Sequence, residues 1–398
     1  MMLGLLLARA GVRVLVLEKH ADFLRDFRGD TIHPSTLEVM HELGLLGGLL
    51  RLPHQKVAQF SAKFGEREVV IADLSRLPVH CRFIAMMPQW DFLNFLAAEA
   101  RRYPGFELRM NAEVTSLIER DGDVLGLKIN TPDGVVDVKA NLVIGADGRH
   151  STVRSAARLP VEDFGVPMDV LWFRLSRRAA DPEATMGRFG AGRILILLNR
   201  GDYWQCGYVI SKGAADEVRR HGLPAFREGI VRVLPFVADR VAELADWEQI
   251  KLLTVRVDRL LKWYRPGLLC IGDAAHAMSP VGGVGINLAI QDAVAAANEL
   301  ASPLLQGDLS IENLRHVQKR RDWPTRVTQR LQLMIQKRLI ARALASDERF
   351  TPPLFVRLLA TFPWLRRIPA RLIGLGVRPE HVRTIAADPA RAPRDRTG

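Results

Sequence analysis

The sequence predicts an α/β protein: one α/β domain, interrupted by an inserted and mainly antiparallel sheet, then closed by C-terminal helices. Three stretches predict it. Leu268 to Ile271 is an apolar run that reads as a buried strand. It ends at Gly272-Asp273, and Pro280-Val281-Gly282-Gly283-Val284-Gly285-Ile286-Asn287 then opens a helical run. Val12 to Leu17 alternates and is valine-rich, so it reads as a strand ending in Glu18. Leu3 to Ala10, before it, reads as a helix closed by Gly11. Gly4 and Ala8 on that helix permit close approach to a sheet. The third stretch is Gly145-Ala146-Asp147-Gly148-Arg149-His150-Ser151-Thr152-Val153-Arg154. A strand end presents Asp147, Gly148 turns the chain, and Ser151 can cap a helix that carries Arg154.

Each stretch suits a definite chemistry. An acid at a strand end suits a sugar hydroxyl, and a glycine-rich turn at a helix N-terminus suits an anion or an electron-rich ring. The helix, strand and Glu18 match the later part of a βαβ dinucleotide-binding unit. In such units the acid lies roughly 20 residues after the glycine turn. Counting back puts that turn at or before Met1, so the first strand and its G-x-G-x-x-G are expected to be missing. Every downstream motif stays in register, which favours a misplaced start over a truly short protein.

The other elements follow in order. Ser35-Thr36-Leu37-Glu38 has the form of a capping box, starting a helix to about Leu43. Residues 57–84 alternate weakly, as strands would. Gln89 to Arg102 is an amphipathic helix, and 106–145 reads as successive strands with a turn at Pro132-Asp133-Gly134. Residues 166–262 change character, with strand-like runs Asp169–Leu175, Arg193–Leu198, Tyr203–Ile210 and Ile250–Val257, and one helix at Gly213–Arg220. Ser310 to Leu359 is helical and Arg-rich. The expected division is 1–60, 85–165 and 265–310 for the first domain, and 61–84 and 166–264 for the inserted sheet. Helices at 311–384 and a disordered tail at 385–398 complete it.

Length and composition narrow the class. The chain has 398 residues and is 48% hydrophobic, enough for a large core. No apolar run is long enough for a membrane span. Cys81, Cys206 and Cys270 are too scattered for a metal site or a disulfide framework, so a reducing, cytoplasmic setting is expected. The net charge of +12 reads first as a solvated surface with a basic tail, and otherwise as attraction of anionic partners such as a phosphorylated dinucleotide or a membrane surface. No basic run interleaves with aromatics, which argues against nucleic acid.

With the three motifs in place, the chain resembles the class A flavoprotein monooxygenases, the para-hydroxybenzoate hydroxylase-like enzymes. The resemblance covers roughly 1–300 and rests on G-A-D-G-x-x-S-x-V-R and G-D-A-A-H-x-x-x-P-x-x-G-x-G-x-N. It implies a Rossmann-like FAD-binding domain, here lacking its first strand. It also implies NAD(P)H and dioxygen as co-substrates, and oxygen transfer through a flavin C4a-hydroperoxide. Glu18 would bind the adenosine ribose, and Val114 would touch adenine. Arg28, in Phe27-Arg28-Gly29-Asp30, would contact FAD, and Gln89 would lie on the flavin side. Asp147 and Gly148 match the family's Asp-Gly motif, tied to both FAD and NAD(P)H. Asp273 would hold the ribityl chain. Pro280, Gly282, Gly283, Gly285, Ile286 and Asn287 would lie along the isoalloxazine ring.

The inserted sheet offers the substrate wall. Trp172, Phe173, Leu195, Leu197, Trp204 and Tyr208 are its candidates, and their alternation leaves open which of them face the cofactor. An apolar wall suits an aromatic or other apolar substrate. No tyrosine pair or His-Asp relay identifies a phenol-deprotonating system, and Tyr203 and Tyr208 are no more than candidates for one. His33, His150 and His276 read as packed histidines, and Asp292 as a helix or loop support. Competing functions are a flavin-dependent reductase without hydroxylation and a flavin-free relic. A halogenase is disfavoured because its W-x-W-x-I-P signature is absent. Phe355 to Ile373, carrying Trp364 and several arginines, reads either as helices closing over the FAD domain or as a peripheral membrane contact.

Overall fold

The computed structural model describes residues 1–24, 31–64, 67–182, 185–190, 192–345 and 353–387. Arg28 and most of the tail expected to be disordered therefore lie outside the described residues.

The chain opens with helix α1 (Met2–Arg9), almost wholly buried, and strand β1 (Val14–Leu17). Gly4 makes their packing possible: a Cβ there would sit 2.8 Å from Val16 Cγ2. Helix α2 (Pro34–Glu42) follows. The expected capping box at Ser35 does not form. Pro34 occupies the first turn instead, where its fixed φ suits a helix start, and His33 is the N-cap. Strands β2 (Gln59–Phe64) and β3 (Arg67–Asp73) form an antiparallel pair. Helix α3 (Gln89–Ala100) leads to β4 (Phe106–Arg109), which pairs in parallel with β1.

A meander comes next: β5 (Glu113–Arg120), β6 (Asp123–Thr131) and β7 (Gly134–Lys139). Strand β8 (Val143–Gly145) then lies parallel to the much later β14 (Leu268–Cys270). Between them the chain builds β9 (Met168–Ser176), β10 (Met186–Gly190), β11 (Arg193–Asn199), β12 (Tyr203–Ser211), helix α4 (Gly222–Val233) and β13 (Lys251–Leu253). These strands join β2 and β3 in one seven-stranded sheet, ordered β13-β9-β12-β11-β10-β2-β3. Every neighbour is antiparallel except β10 and β2.

Two sequence expectations for this sheet need correction. Helix α4 was not foreseen. The run Ile250–Val257 gives only a three-residue strand, because the Val255 N–H donates to Asp169 Oδ1 at 2.9 Å and leaves the ladder.

The sheet is covered on both faces. Leu171, Phe173, Leu195, Leu197, Trp204 and Cys206 pack against Phe226 and Ile230 of α4. The opposite face carries Met168, Val170, Trp172, Ile194 and Val209, packed with Ile340 and Ala343. Each fully buried Leu or Phe contributes about 1.5–3 kcal/mol to the core.

Helix α5 (Gly285–Gln306) starts from the glycine turn and ends at Gly307, which has φ 75°. Helix α6 (Ile311–Ile335) packs along it, and α7 (Leu354–Thr361) and α8 (Arg367–Gly374) pack on edge strand β3. Residues 378–387 strap the helices together: the Ala387 N–H donates to the Arg9 carbonyl at 2.8 Å, and the Val382 N–H to Glu42 Oε2 at 2.7 Å.

Candidate active site

The β1–β4 pair, the β8–β14 pair, the glycine turn and one face of the large sheet border a single cavity of about 3750 Å³. Its lining brings together most residues singled out from sequence. Glu18 lines it at the end of β1, and its Oε1 accepts from the His20 N–H at 3.1 Å. Val114 lies nearby on β5, and Gln89 enters from the first turn of α3.

Asp147 works on its own turn. Its Oδ1 accepts from Ser151 Oγ at 2.5 Å and its Oδ2 from the Val153 N–H at 3.1 Å. Ser151 in turn caps the short helix by accepting from the Arg154 N–H at 2.8 Å. Gly148 takes φ 84°, which a side chain would strain. The turn delivers Arg149 to the cavity, where its Nη2 lies 3.5 Å from Asp273 Oδ2.

Asp273 is the acid at the end of β14. Burial pushes its pKa above the ordinary carboxylate value, and Arg149 opposes that only partly. Asp292 holds the turn from behind. Its Oδ2 accepts from the Gly272 N–H at 3.0 Å and lies 2.6 Å from His276 Nε2. Its Oδ1 accepts from Arg321 Nε at 2.9 Å, and Arg321 reaches on to Glu380. Burial would raise the Asp292 pKa, but His276 and Arg321 outweigh it and hold it below 3.8. His276 and Asp292 are thus structural supports of the acid-bearing turn.

The glycine turn approaches the short strand Thr31–Ile32, which pairs antiparallel with Ala85 and Met86. A Cβ on Gly283 would fall 2.8 Å from Thr31 Oγ1, which donates to the Gly283 carbonyl at 2.8 Å. Thr31 had no signal in the sequence. Pro280, Gly282, Gly283, Gly285 and Ile286 all line the cavity. Asn287 does not. It is buried, its Oδ1 accepting from the His33 N–H at 3.0 Å and from Thr36 Oγ1 at 2.7 Å, so it pins the turn rather than facing a ligand.

The substrate-wall expectations separate by pleat. Trp172 lines the cavity and lies over Gly207, where a Cβ would meet its six-membered ring at 3.1 Å. Phe173, Leu195, Leu197 and Trp204 alternate to the other face and pack toward α4. Tyr208 also faces that way, its ring 5.1 Å from Phe226. Tyr203 lies under the Arg174 guanidinium. The cavity face instead presents Val170, Ile194, Ile196, Leu198, Gln205 and Val209.

This arrangement fits FAD. The first turn of α5 has no side-chain cap, and its backbone borders the cavity, so its N–H groups can meet an anionic ring edge. Glycines keep that approach open, and Asp273 gains a partner if a hydroxyl donates to it. The sequence profile of the FAD binding domain matches residues 1–330. The chain belongs to the class A flavoprotein monooxygenase family. This flavoprotein is 33% identical over 347 residues to 6-methylpretetramide 4-monooxygenase of Streptomyces rimosus, covering 86% of this chain and 82% of the relative. It is 30% identical over 308 residues to a 12-dehydrotetracycline 5-monooxygenase/anhydrotetracycline 6-monooxygenase of the same species, covering 74% of this chain and 59% of that protein. The flavoprotein's fold matches p-nitrophenol 4-monooxygenase from Pseudomonas putida with TM-score 0.74 at 21% identity, over 95% of each chain.

Proposed function

We propose that this flavoprotein hydroxylates a flat aromatic substrate, using NAD(P)H and dioxygen. One observation carries the reading. The apolar face of the large sheet meets the glycine turn across one cavity, and Val281 of the turn packs in the same cluster as Val170 and Trp172. A substrate on that face would lie against the wall where a flavin ring fits. The names of the polyketide-directed relatives support a polycyclic substrate, and the breadth of the apolar face agrees.

Bound FAD, once reduced, would supply dioxygen activation. The chain's own residues would do the rest. Asp273 would accept a hydrogen bond from a ribityl hydroxyl, and Glu18 from the adenosine ribose. The positive end of α5 would favour negative charge on the flavin's pyrimidine edge. Pro280, Val281 and the sheet face would exclude water from the reacting atoms. Trp172 would orient the substrate plane.

The test uses labelled dioxygen. The protein is reconstituted with FAD and NAD(P)H and offered monocyclic and polycyclic phenols. The reading expects one labelled oxygen atom in a product, with a polycyclic phenol preferred. Substrate-stimulated NAD(P)H oxidation that yields only unlabelled product would contradict it.

A further inference from the structure

Large apolar side chains stand in solvent along one short stretch of the C-terminal helices. Leu354 is 69% exposed, Trp364 64%, Ile368 57% and Phe355 50%, with Leu358 and Phe362 also exposed. Helix α7 is well anchored, because Val356 and Leu359 on its inner side are buried, Val356 among Ala62, Phe64 and Val69 of the sheet edge. Its outer side is apolar as well: Leu354, Phe355, Leu358 and Phe362 follow the spacing of one helical face. Among the described residues nothing covers that face.

The charge along this stretch of sequence has one sign. From Pro353 to Arg378 the sequence holds five arginines and no aspartate or glutamate. Arg357, Arg367 and Arg371 are exposed beside the apolar side chains. Arg366 is half-buried and donates through Nε to the Leu359 carbonyl at 3.0 Å, tying α7 to α8.

We propose that the face formed by Leu354 to Arg371 docks on an anionic lipid bilayer. Apolar side chains flanked by arginines suit an interface where hydrocarbon and phosphate lie a few ångströms apart. Trp364 has the amphipathic ring that such a boundary favours. A second copy of the chain fits poorly. A two-fold contact through this face would set the same arginines against each other, with no acid between residues 353 and 378 to answer them. The surface also adjoins the active-site cavity, since Phe355 and Val356 contribute to its lining. An apolar ligand leaving the bilayer there would meet the cavity wall directly.

Vesicle flotation of the 398-residue, FAD-supplemented protein tests this. Vesicles of phosphatidylcholine and phosphatidylglycerol in equal parts are compared with phosphatidylcholine alone, at low and high salt. The proposal expects flotation with the anionic vesicles only, weakened by salt. Each arginine near the surface strengthens partitioning about fivefold, so Arg367→Glu with Arg371→Glu lowers it more than about 25-fold. Phe362→Ser with Trp364→Ser and Ile368→Ser abolishes flotation, while an unchanged melting temperature shows that the variant folds. Three results would overturn the proposal: a wild type that stays in the soluble fraction with anionic vesicles at low salt, equal flotation with neutral vesicles at any salt, or a dimer in sedimentation that the serine variant loses.

Discussion

Replacing Asp273 by alanine isolates the acid proposed to accept from a cofactor hydroxyl. Asp273 pairs with Arg149 at 3.5 Å, with both side chains about 29% exposed. Such a pair contributes no more than about 1 kcal/mol. Burial also raises the Asp273 pKa, so the folded state disfavours its charge at neutral pH. A carboxyl whose folded pKa is raised lowers stability as pH climbs past its unfolded value, and removing it relieves that penalty. The cofactor-free Asp273→Ala protein should therefore melt no lower than wild type at neutral pH. Cofactor binding should respond differently. A hydrogen bond to a charged acceptor contributes about 1.5–3 kcal/mol, so the FAD Kd should rise about 10- to 150-fold. Quenching of FAD fluorescence on titration measures this, alongside a thermal melt without cofactor. An unchanged Kd, or a cofactor-free melting temperature that falls sharply, would refute the reasoning.

Further outcomes follow from the same geometry. Trp172→Phe should raise KM for a polycyclic substrate and cost less than about 1.5 kcal/mol of stability. Trp204→Phe, on the opposite face, loses the 2.9 Å bond from Nε1 to Asp181 and should cost about 1–3 kcal/mol with KM unchanged. Asp292→Ala takes the carboxylate from buried His276 and leaves buried Arg321 with Glu380 at 3.3 Å, and should cost about 3–5 kcal/mol in denaturant titration. Because the folded pKa of Asp292 is held below 3.8, the stability it provides is present above that value and lost as pH falls through the folded pKa. Burial lowers the His33 pKa from 6.5 to about 4, so the wild type should lose stability as pH falls from 6.5 toward 4. The loss approaches about 3 kcal/mol, and His33→Asn should flatten it in denaturant titrations across that range.

The sequence disclosed the glycine-turn side of the cavity more fully than the sheet side. Asp273 and the glycines after Pro280 lie in one short run and the Asp147 turn in another, and the chemistry of each is local: a strand end, a positive φ, an uncapped helix start. The substrate wall was not legible, because helix α4 covers one face of the sheet and the cavity borders the other. Both faces are therefore apolar, and alternation cannot tell Trp172 from Trp204. Asn287 looked like a ligand because it ends a motif, yet its partners His33 and Thr36 lie about 250 residues away in sequence. The Asp292 support was equally hidden, since Gly272, His276, Arg321 and Glu380 meet only in the fold. Thr31 is a lone threonine until the glycine turn arrives beside it.

The most direct test of the account is FAD binding by the purified protein. Visible absorbance after reconstitution and removal of free cofactor gives the stoichiometry. The account predicts a yellow protein with one FAD per chain, bound more weakly by Asp273→Ala. A folded but colourless protein, with no FAD retained at any concentration, would contradict it.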